Sequence, residues 1–113
     1  MYFFLDAARR KARGGSLYLE FQPGPYREKH WQADSVYLPA PLFDDLGLYE
    51  LFVRAIPHFN YYYYTEVTAE QFRVLRALAQ EHPAQCAGEI LEELAPMASA
   101  WLEQFGCFTI CGI

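Results

Sequence analysis

Residues 58–72 have the sequence HFNYYYYTEVTAEQF, in which four consecutive tyrosines are followed by the start signal of a helix. This combination strongly constrains the fold. Thr68 and Gln71 have the spacing of a capping box. The threonine hydroxyl can accept from the Gln71 amide, while the glutamine side chain bonds back to the Thr68 amide. A helix is therefore predicted from Thr68. The tyrosines before it are predicted to form a strand, in which alternate rings point to opposite faces.

The two faces of this predicted strand differ in the residues that accompany the tyrosines. One face is predicted to pack against the core, and the other is predicted to be presented to a partner. The inward face carries Phe59, Tyr61 and Tyr63, and the outward face carries Asn60, Tyr62 and Tyr64.

Four other segments have strand patterns: YFFLD, LYLEFQ, SVYLP and the terminal CFTICGI. The first two are predicted to pair antiparallel. In LYLEFQ the alternation places Leu17, Leu19 and Phe21 inward and Tyr18, Glu20 and Gln22 outward. The terminal strand is so apolar that an exposed edge position would be hazardous. It is therefore predicted to pair inside the sheet or to be covered.

Two further segments have helical spacing of apolar residues. In APLFDDLGLYELFVRAIP, Gly47 interrupts the stripe, which allows either one helix or a short helix, a bend and a longer helix. The region 84–105 is a longer helix with Pro96 near its middle. Because proline lacks an amide donor and clashes with the preceding turn, a kink or break is expected near Ala95.

The order of these segments predicts an α+β fold: a single, mainly antiparallel sheet with about three helices packed on one face, in two layers. The 113 residues fit a single domain, residues 1–113. A hydrophobic fraction of 53% is too high for a disordered chain. No apolar stretch approaches the roughly 20 residues that a membrane span needs, so a cytoplasmic protein without membrane contact is expected.

Charge is unevenly distributed along the chain. Residues 1–30 carry six Lys or Arg against three carboxylates, whereas residues 31–113 carry three Arg against eleven carboxylates, within a net charge of -5. Such an acidic surface repels nucleic acid and attracts basic proteins. The basic segment from Arg9 to Arg13 is either a solvated loop, a short helix or a phosphate-binding element. Direct nucleic-acid binding is not expected.

The sequence contains few catalytic or metal-binding motifs. The chain is therefore expected not to be an enzyme and to need no cofactor or metal. There is no glycine-rich phosphate loop, nucleophile elbow or His-Glu-x-x-His helix. The odd number of cysteines favours reduced, buried thiols over disulfides. The three histidines lie in separate elements and only folding could gather them. A Cys–His catalytic pair is the enzymatic alternative.

Tyrosines beside carboxylates on an acidic chain predict a binding surface for a basic protein, since tyrosine gives a large contact area and tolerates water. Tyr62 and Tyr64 are the expected anchors, and Trp31 is an independent candidate. The carboxylates expected to supply charge are Asp44, Asp45, Glu66 and Glu70.

Two stretches, YYYYTEVTAEQFRVL and EILEELAPMASAWLEQFGCFTICGI, resemble the small immunity proteins of bacterial contact-dependent growth inhibition and related polymorphic toxin systems. The resemblance implies binding to one cognate toxin domain, often a basic nuclease, by blocking its active site or its access to substrate. The basic segment ARRKAR departs from that pattern. The alternative is a small structural or regulatory subunit that homodimerises through its terminal strand or its aromatic face.

Overall fold

The computed structural model describes all 113 residues, which form five strands and five helices joined by loops and turns. The strands are β1 (Leu5–Asp6), β2 (Tyr18–Pro23), β3 (Val36–Pro39), β4 (Tyr64–Thr68) and β5 (Cys107–Cys111). The helices are α1 (Ala7–Arg13), α2 (Ala40–Asp45), α3 (Leu48–Ala55), α4 (Ala69–Gln80) and α5 (Cys86–Phe105). The predicted α+β fold with one antiparallel sheet is confirmed, and the short helices α1 and α2 add to it.

The sheet has the strand order β1-β3-β2-β5-β4, and every neighbouring pair is antiparallel. Strand β5 lies between β2 and β4, which confirms that the apolar terminal strand pairs inside the sheet. The predicted pairing of the first two strands is wrong. Strand β1 pairs with β3 instead, with Leu5 opposite Tyr37, because β3 and β5 occupy the two edges of β2.

One face of the sheet packs against α4 and α5 and forms the apolar core. Phe108 of β5 contacts Phe72 of α4, with ring centroids 5.6 Å apart, and Trp101 of α5 at 5.9 Å. Leu19 and Phe21 of β2 are fully buried on this face, as the alternation predicted. Burial of these large side chains supplies the main driving force for folding.

The helices begin and end largely where local sequence signals place them. The capping box is present, with Gln71 N donating to Thr68 Oγ1 at 3.2 Å and Thr68 N donating to Gln71 Oε1 at 3.0 Å. Gly47, at φ 67°, forms the bend between α2 and α3. Of the kink or break expected near Ala95, the break does not occur, because α5 continues through Pro96 and buried Leu94 and Ala95 hold it against the core. No helix combines the length and the apolar character needed to cross a membrane.

The other face of the sheet is covered by residues 24–35, which we call the covering loop, and by α1. Gln22 Nε2 donates to the Lys29 carbonyl at 2.8 Å, and the Trp31 ring stacks on Tyr37 at 5.8 Å. The predicted outward exposure of Tyr18, Glu20 and Gln22 is therefore wrong, since all three are buried. Leu17, predicted to point inward, is exposed because it precedes the strand.

The tyrosine run does not form one strand. Strand β4 begins only at Tyr64, and residues 61–63 form a turn. Asn60 sets this turn, because its amide donates to Thr65 Oγ1 at 2.9 Å and its Oδ1 accepts from Tyr62 N at 2.9 Å. Such local side-chain bonds compete with strand pairing. The predicted inward position of Tyr63 is consequently wrong, and its ring is exposed.

Candidate functional site

Six tyrosine rings lie at the β4 edge of the sheet in two groups of three, one on each side of the turn at residues 61–63, and together we call them the tyrosine surface. Tyr61 contacts Tyr49 and Tyr62, with centroids 6.2 and 5.2 Å apart. On the other side of the turn, Tyr64 contacts Tyr63 at 4.6 Å and stacks on Tyr26 at 3.9 Å with an interplanar angle of 13°. The members are Tyr26, Tyr49, Tyr61, Tyr62, Tyr63 and Tyr64.

One hollow of about 310 Å³ opens in this surface and is lined by Asp44, Tyr49, Tyr61 and Tyr62. We call it the Asp44 hollow. The Tyr61 hydroxyl donates to Asp44 Oδ1 at 2.8 Å and is 3.0 Å from Oδ2. Burial raises the pKa of Tyr61 to about 12, and the bond to the carboxylate adds to the effect. A carboxylate beside phenol rings suits a lysine or arginine side chain.

Replacing Asp44 with Asn is expected to lower the pKa of Tyr61, because the negative charge that opposes phenolate formation is removed. Alkaline difference absorbance of wild type and D44N measures this change. In the wild type, stability linked to Tyr61 is fully present below its unfolded pKa of 10.0 and is lost as pH rises through about 12. Asp45→Asn is the matched control, and superimposable D44N and wild-type titration curves would contradict the prediction.

A second hollow of about 320 Å³ lies on the other side of the turn, and we call it the Glu66 hollow. It is lined by His58, Tyr63, Tyr64, Thr65 and Glu66. Glu66 Oε2 accepts from the Tyr26 amide at 2.8 Å, which fixes the end of the covering loop against β4. The two hollows therefore flank the exposed pair Tyr62 and Tyr63, and each contains one carboxylate.

The turn that carries Tyr62 and Tyr63 is held by the last two residues of the chain. Gly112 N donates to the Tyr63 carbonyl at 2.7 Å, and Ile113 N donates to the Tyr61 carbonyl at 2.9 Å. Tyr62 is 77% exposed and Tyr63 is 55% exposed. The rings are thus presented on a backbone that is already ordered, which lowers the entropic cost of binding.

The structure brings together four of the seven residues predicted for partner binding: Asp44, Tyr62, Tyr64 and Glu66. The other three lie elsewhere. Glu70 bonds to Arg73 in the first turn of α4, and Asp45 lines a different hollow with Tyr2 and Leu5. Trp31 lies on the covering loop, where its ring stacks against Tyr37.

A buried carboxylate, Glu20, organises the covering loop, and the sequence pattern did not indicate it. Glu20 Oε1 accepts from Trp31 N at 2.7 Å, and Oε2 accepts from Gln32 N at 2.8 Å and Ser35 Oγ at 2.7 Å. Burial, with the Glu20 charge as the next cause, raises the pKa of Tyr37 to about 12. The carboxylate accepts the hydrogen bonds that these backbone amides would donate to water in an exposed loop.

Three groups able to bind a metal meet beneath the same loop. One ligand atom from each of Glu20, His30 and Cys111 lies within 4.8 Å of the others. Burial, assisted by the Glu20 charge, raises the pKa of the Cys111 thiol to about 12. Cys107, which shares the strand with Cys111, is only half-buried and lies outside the group. No sequence spacing signals this group, because each residue comes from a different element.

The basic segment is the helix α1, not a loop. The Arg10 guanidinium lies over Trp31 and Tyr37, 4.4 and 4.9 Å from their ring centroids, and Arg13 lies 5.6 Å from the ring of Tyr18. Two of the cations considered for phosphate binding therefore pack against aromatic rings of the sheet. Cation–π contacts of this kind stabilise the covered face.

Comparisons with known protein families, curated proteins and solved structures each found no match. The chemistry of the tyrosine surface is therefore the main guide to function. It combines large aromatic area, several hydroxyls and two carboxylates, Asp44 and Glu66. These groups suit recognition of a protein that presents basic side chains.

Proposed function

We propose that this protein is a cytoplasmic immunity protein that binds and neutralises a cognate bacterial toxin domain through the tyrosine surface. The observation that carries the proposal is the exposed pair Tyr62 and Tyr63, held on an ordered turn between two hollows that each contain a carboxylate. The resemblance of the C-terminal half to immunity proteins suggests a basic nuclease. Binding would block its active site or its access to substrate.

Tyr62 and Tyr63 are the anchors in this proposal. Their rings bring large contact areas, and their backbone is fixed by the bonds from Gly112 and Ile113. Aromatic residues at the centre of an interface often contribute about 2 kcal/mol or more each. Tyr64, expected from the sequence to be an anchor, takes a supporting role because it is half-buried and stacks on Tyr26.

The charges around the anchors favour a basic partner. Asp44 and Glu66 lie in the two hollows, where a lysine or arginine of the partner could reach a carboxylate and aromatic rings together. The nearby exposed Glu50 of α3 adds negative charge. Glu70 contributes less, because Arg73 already neutralises it. Complementary charge of this kind mainly accelerates association.

The homodimer alternative is less well supported by the topology. Strand β5 pairs with β2 and β4 along its two edges, so it has no free edge for a second copy. A dimer through the tyrosine surface would bring Asp44 and Glu66 of one copy toward the same charges of the other, and like charges across an interface are unfavourable.

The double variant Y62A/Y63A tests the proposal. The proposal predicts that a polymorphic toxin is encoded beside the gene for this chain. The probe is the purified C-terminal domain of that toxin, assayed by calorimetry and by rescue of growth during co-expression. Wild type is expected to bind and to rescue growth. Loss of two anchor rings is expected to weaken binding by at least about a hundredfold and to remove rescue.

Tyr2→Ala is the matched control, since Tyr2 is 86% exposed and its ring contacts only Phe3 among the aromatic rings. It is expected to bind like wild type, and all variants are expected to keep the wild-type melting temperature. Equal affinity of Y62A/Y63A and wild type would remove the tyrosine surface from the interface. A protein that sediments as a stable dimer and does not bind the toxin domain would favour the homodimer instead.

A further inference from the structure

The most chemically distinctive group outside the tyrosine surface lies between β2, β5 and the covering loop. Glu20 and Cys111 are direct partners in the register of β2 and β5, so their side chains leave the same face of the sheet side by side. His30 reaches the pair from the covering loop. Glu20 and Cys111 are buried, and His30 is half-buried and forms the side of the group nearest solvent.

We propose that Glu20, His30 and Cys111 form a binding site for a divalent cation of the zinc class. One carboxylate oxygen, one imidazole nitrogen and one sulfur lie within 4.8 Å of one another, close enough for small side-chain movements to bring all three onto one ion. Zinc accepts this mixture of ligands in a tetrahedral arrangement. Magnesium and calcium prefer oxygen ligands alone, so the thiol and imidazole select against them.

Gln22 gives an independent reason to expect a ligand here. It is the next residue on the same face of β2, is fully buried, and its Oε1 has no hydrogen-bond donor. Its Nε2 donates to the Lys29 carbonyl, directly before His30. A buried acceptor without a donor is costly, and it is readily satisfied by a cation or by water bound to one.

The groups around Glu20 have the arrangement that supports metal ligands. Oε1 accepts only the Trp31 amide, which leaves a second lone pair, while Oε2 accepts from Gln32 and Ser35. Carboxylates that bind metals are commonly held in this way by neighbouring donors. The hydrogen bonds from the covering loop explain why Glu20 is buried. They do not explain why His30 and Cys111 lie beside the same carboxylate.

Binding at this site would join the covering loop to β5, which is an internal strand of the sheet. The thiol proton of Cys111 leaves to solvent when sulfur binds the ion, and His30 binds through a neutral ring nitrogen. The fourth position is then filled by water, as in zinc sites with three protein ligands. Because the same loop carries Tyr26, on which Tyr64 stacks, an occupied site would also stiffen one side of the tyrosine surface.

Cobalt(II) titration of the full, reduced, metal-free chain tests the site, since thiolate coordination to cobalt gives a charge-transfer absorption band. Wild type is expected to develop this band and to lose it when zinc is added in competition. Cys111→Ser is expected to abolish the band. His30→Gln is expected to weaken cobalt affinity by more than about a hundredfold, beyond the loss typical of groups that only support ligands.

Cys107→Ser is the matched control, because Cys107 lies on the same strand outside the group, and this variant is expected to keep the band. No cobalt or zinc binding by wild type would overturn the proposal, as would a band that persists in C111S or disappears in C107S. Circular dichroism establishes that each variant is folded. If C111S does not fold, unchanged cobalt affinity of H30Q, altered on the half-buried loop side, overturns the proposal by itself.

Discussion

Replacing Glu20 with alanine is expected to lower the free energy of unfolding by about 4 kcal/mol. The Glu20 side chain is only 3% exposed and accepts from the amides of Trp31 and Gln32 and from the Ser35 hydroxyl. Alanine leaves these donors without a partner beneath the loop, and each unsatisfied buried group costs about 1–3 kcal/mol. Partial access of solvent to the loop keeps the expected total below the upper end of that sum.

Urea unfolding in EDTA, followed by circular dichroism, measures this change without any contribution from bound metal. Glu103→Ala is the control, because Glu103 is exposed and forms no side-chain hydrogen bond, and its effect should lie within about 0.5 kcal/mol. Glu20→Gln keeps one acceptor oxygen but replaces the other with an NH2 group, which cannot accept from the donors of the loop, so an intermediate loss is expected. Equal stability of E20A and E103A would show that the loop does not depend on this carboxylate.

Features that depend on neighbouring residues were predictable from the sequence. The capping box of Thr68 and Gln71 needs only two side chains three positions apart, and it forms as expected. The apolar composition of β5 predicted that it either pairs inside the sheet or is covered, and it pairs inside, between β2 and β4. In both cases a local pattern leaves few favourable structures.

The burial of Glu20 could not be predicted, although the alternation around it was assigned correctly. Glu20 does lie on the face opposite Leu19 and Phe21, but that face is not solvated. It is covered by a loop that begins with Gly24 and Pro25 and carries four charged residues, a composition that resembles that of an exposed connection. The bonds from Trp31 and Gln32 to Glu20 hold the loop against this face, and no periodic pattern in the sequence indicates them.

The candidate site was predicted only in part, because some of its contacts likewise join residues that no local pattern connects. Asp44, Tyr62 and Glu66 were identified from the proximity of carboxylates to the tyrosine run, and they line the two hollows. The turn at residues 61–63 was missed because the bond from Asn60 N to Thr65 Oγ1 outweighs the strand pattern. The group of Glu20, His30 and Cys111 was missed because it requires the register of β2 against β5.

The strand register also explains how the core is connected to the proposed interface. Strand β5 is paired on both sides, so its end is fixed relative to the sheet. Gly112 and Ile113 continue from it and donate to the carbonyls of Tyr63 and Tyr61. The position of the exposed rings is thus determined by a strand that is paired on both sides, and Gly112 is therefore a sensitive place to disturb the tyrosine surface.

Replacing Gly112 with alanine is expected to lower the free energy of unfolding by about 2–3 kcal/mol and to displace the tyrosine turn. A Cβ atom at this position would overlap the carbonyl group of Tyr61 and lie 3.0 Å from the Tyr62 amide nitrogen. Both neighbours are backbone, so relief requires the turn to move and weakens the 2.7 Å bond from Gly112 N to the Tyr63 carbonyl. Overpacking of this kind typically costs about 1–3 kcal/mol, to which the weakened hydrogen bond adds.

Gly88→Ala is the matched control and should act in the opposite direction. The three atoms nearest to its Cβ would all belong to the flexible Gln80 side chain, at 3.3–3.4 Å, and alanine is favoured over glycine inside a helix by about 1 kcal/mol. Urea unfolding measures the opposite stability changes of the two variants. Affinity for the toxin domain of the proposed function measures whether the turn at residues 61–63 has moved. G112A should lose affinity even under conditions where it is fully folded, because Tyr62 and Tyr63 no longer hold their bound positions. Wild-type affinity in a folded G112A variant would contradict the idea that β5 positions the interface.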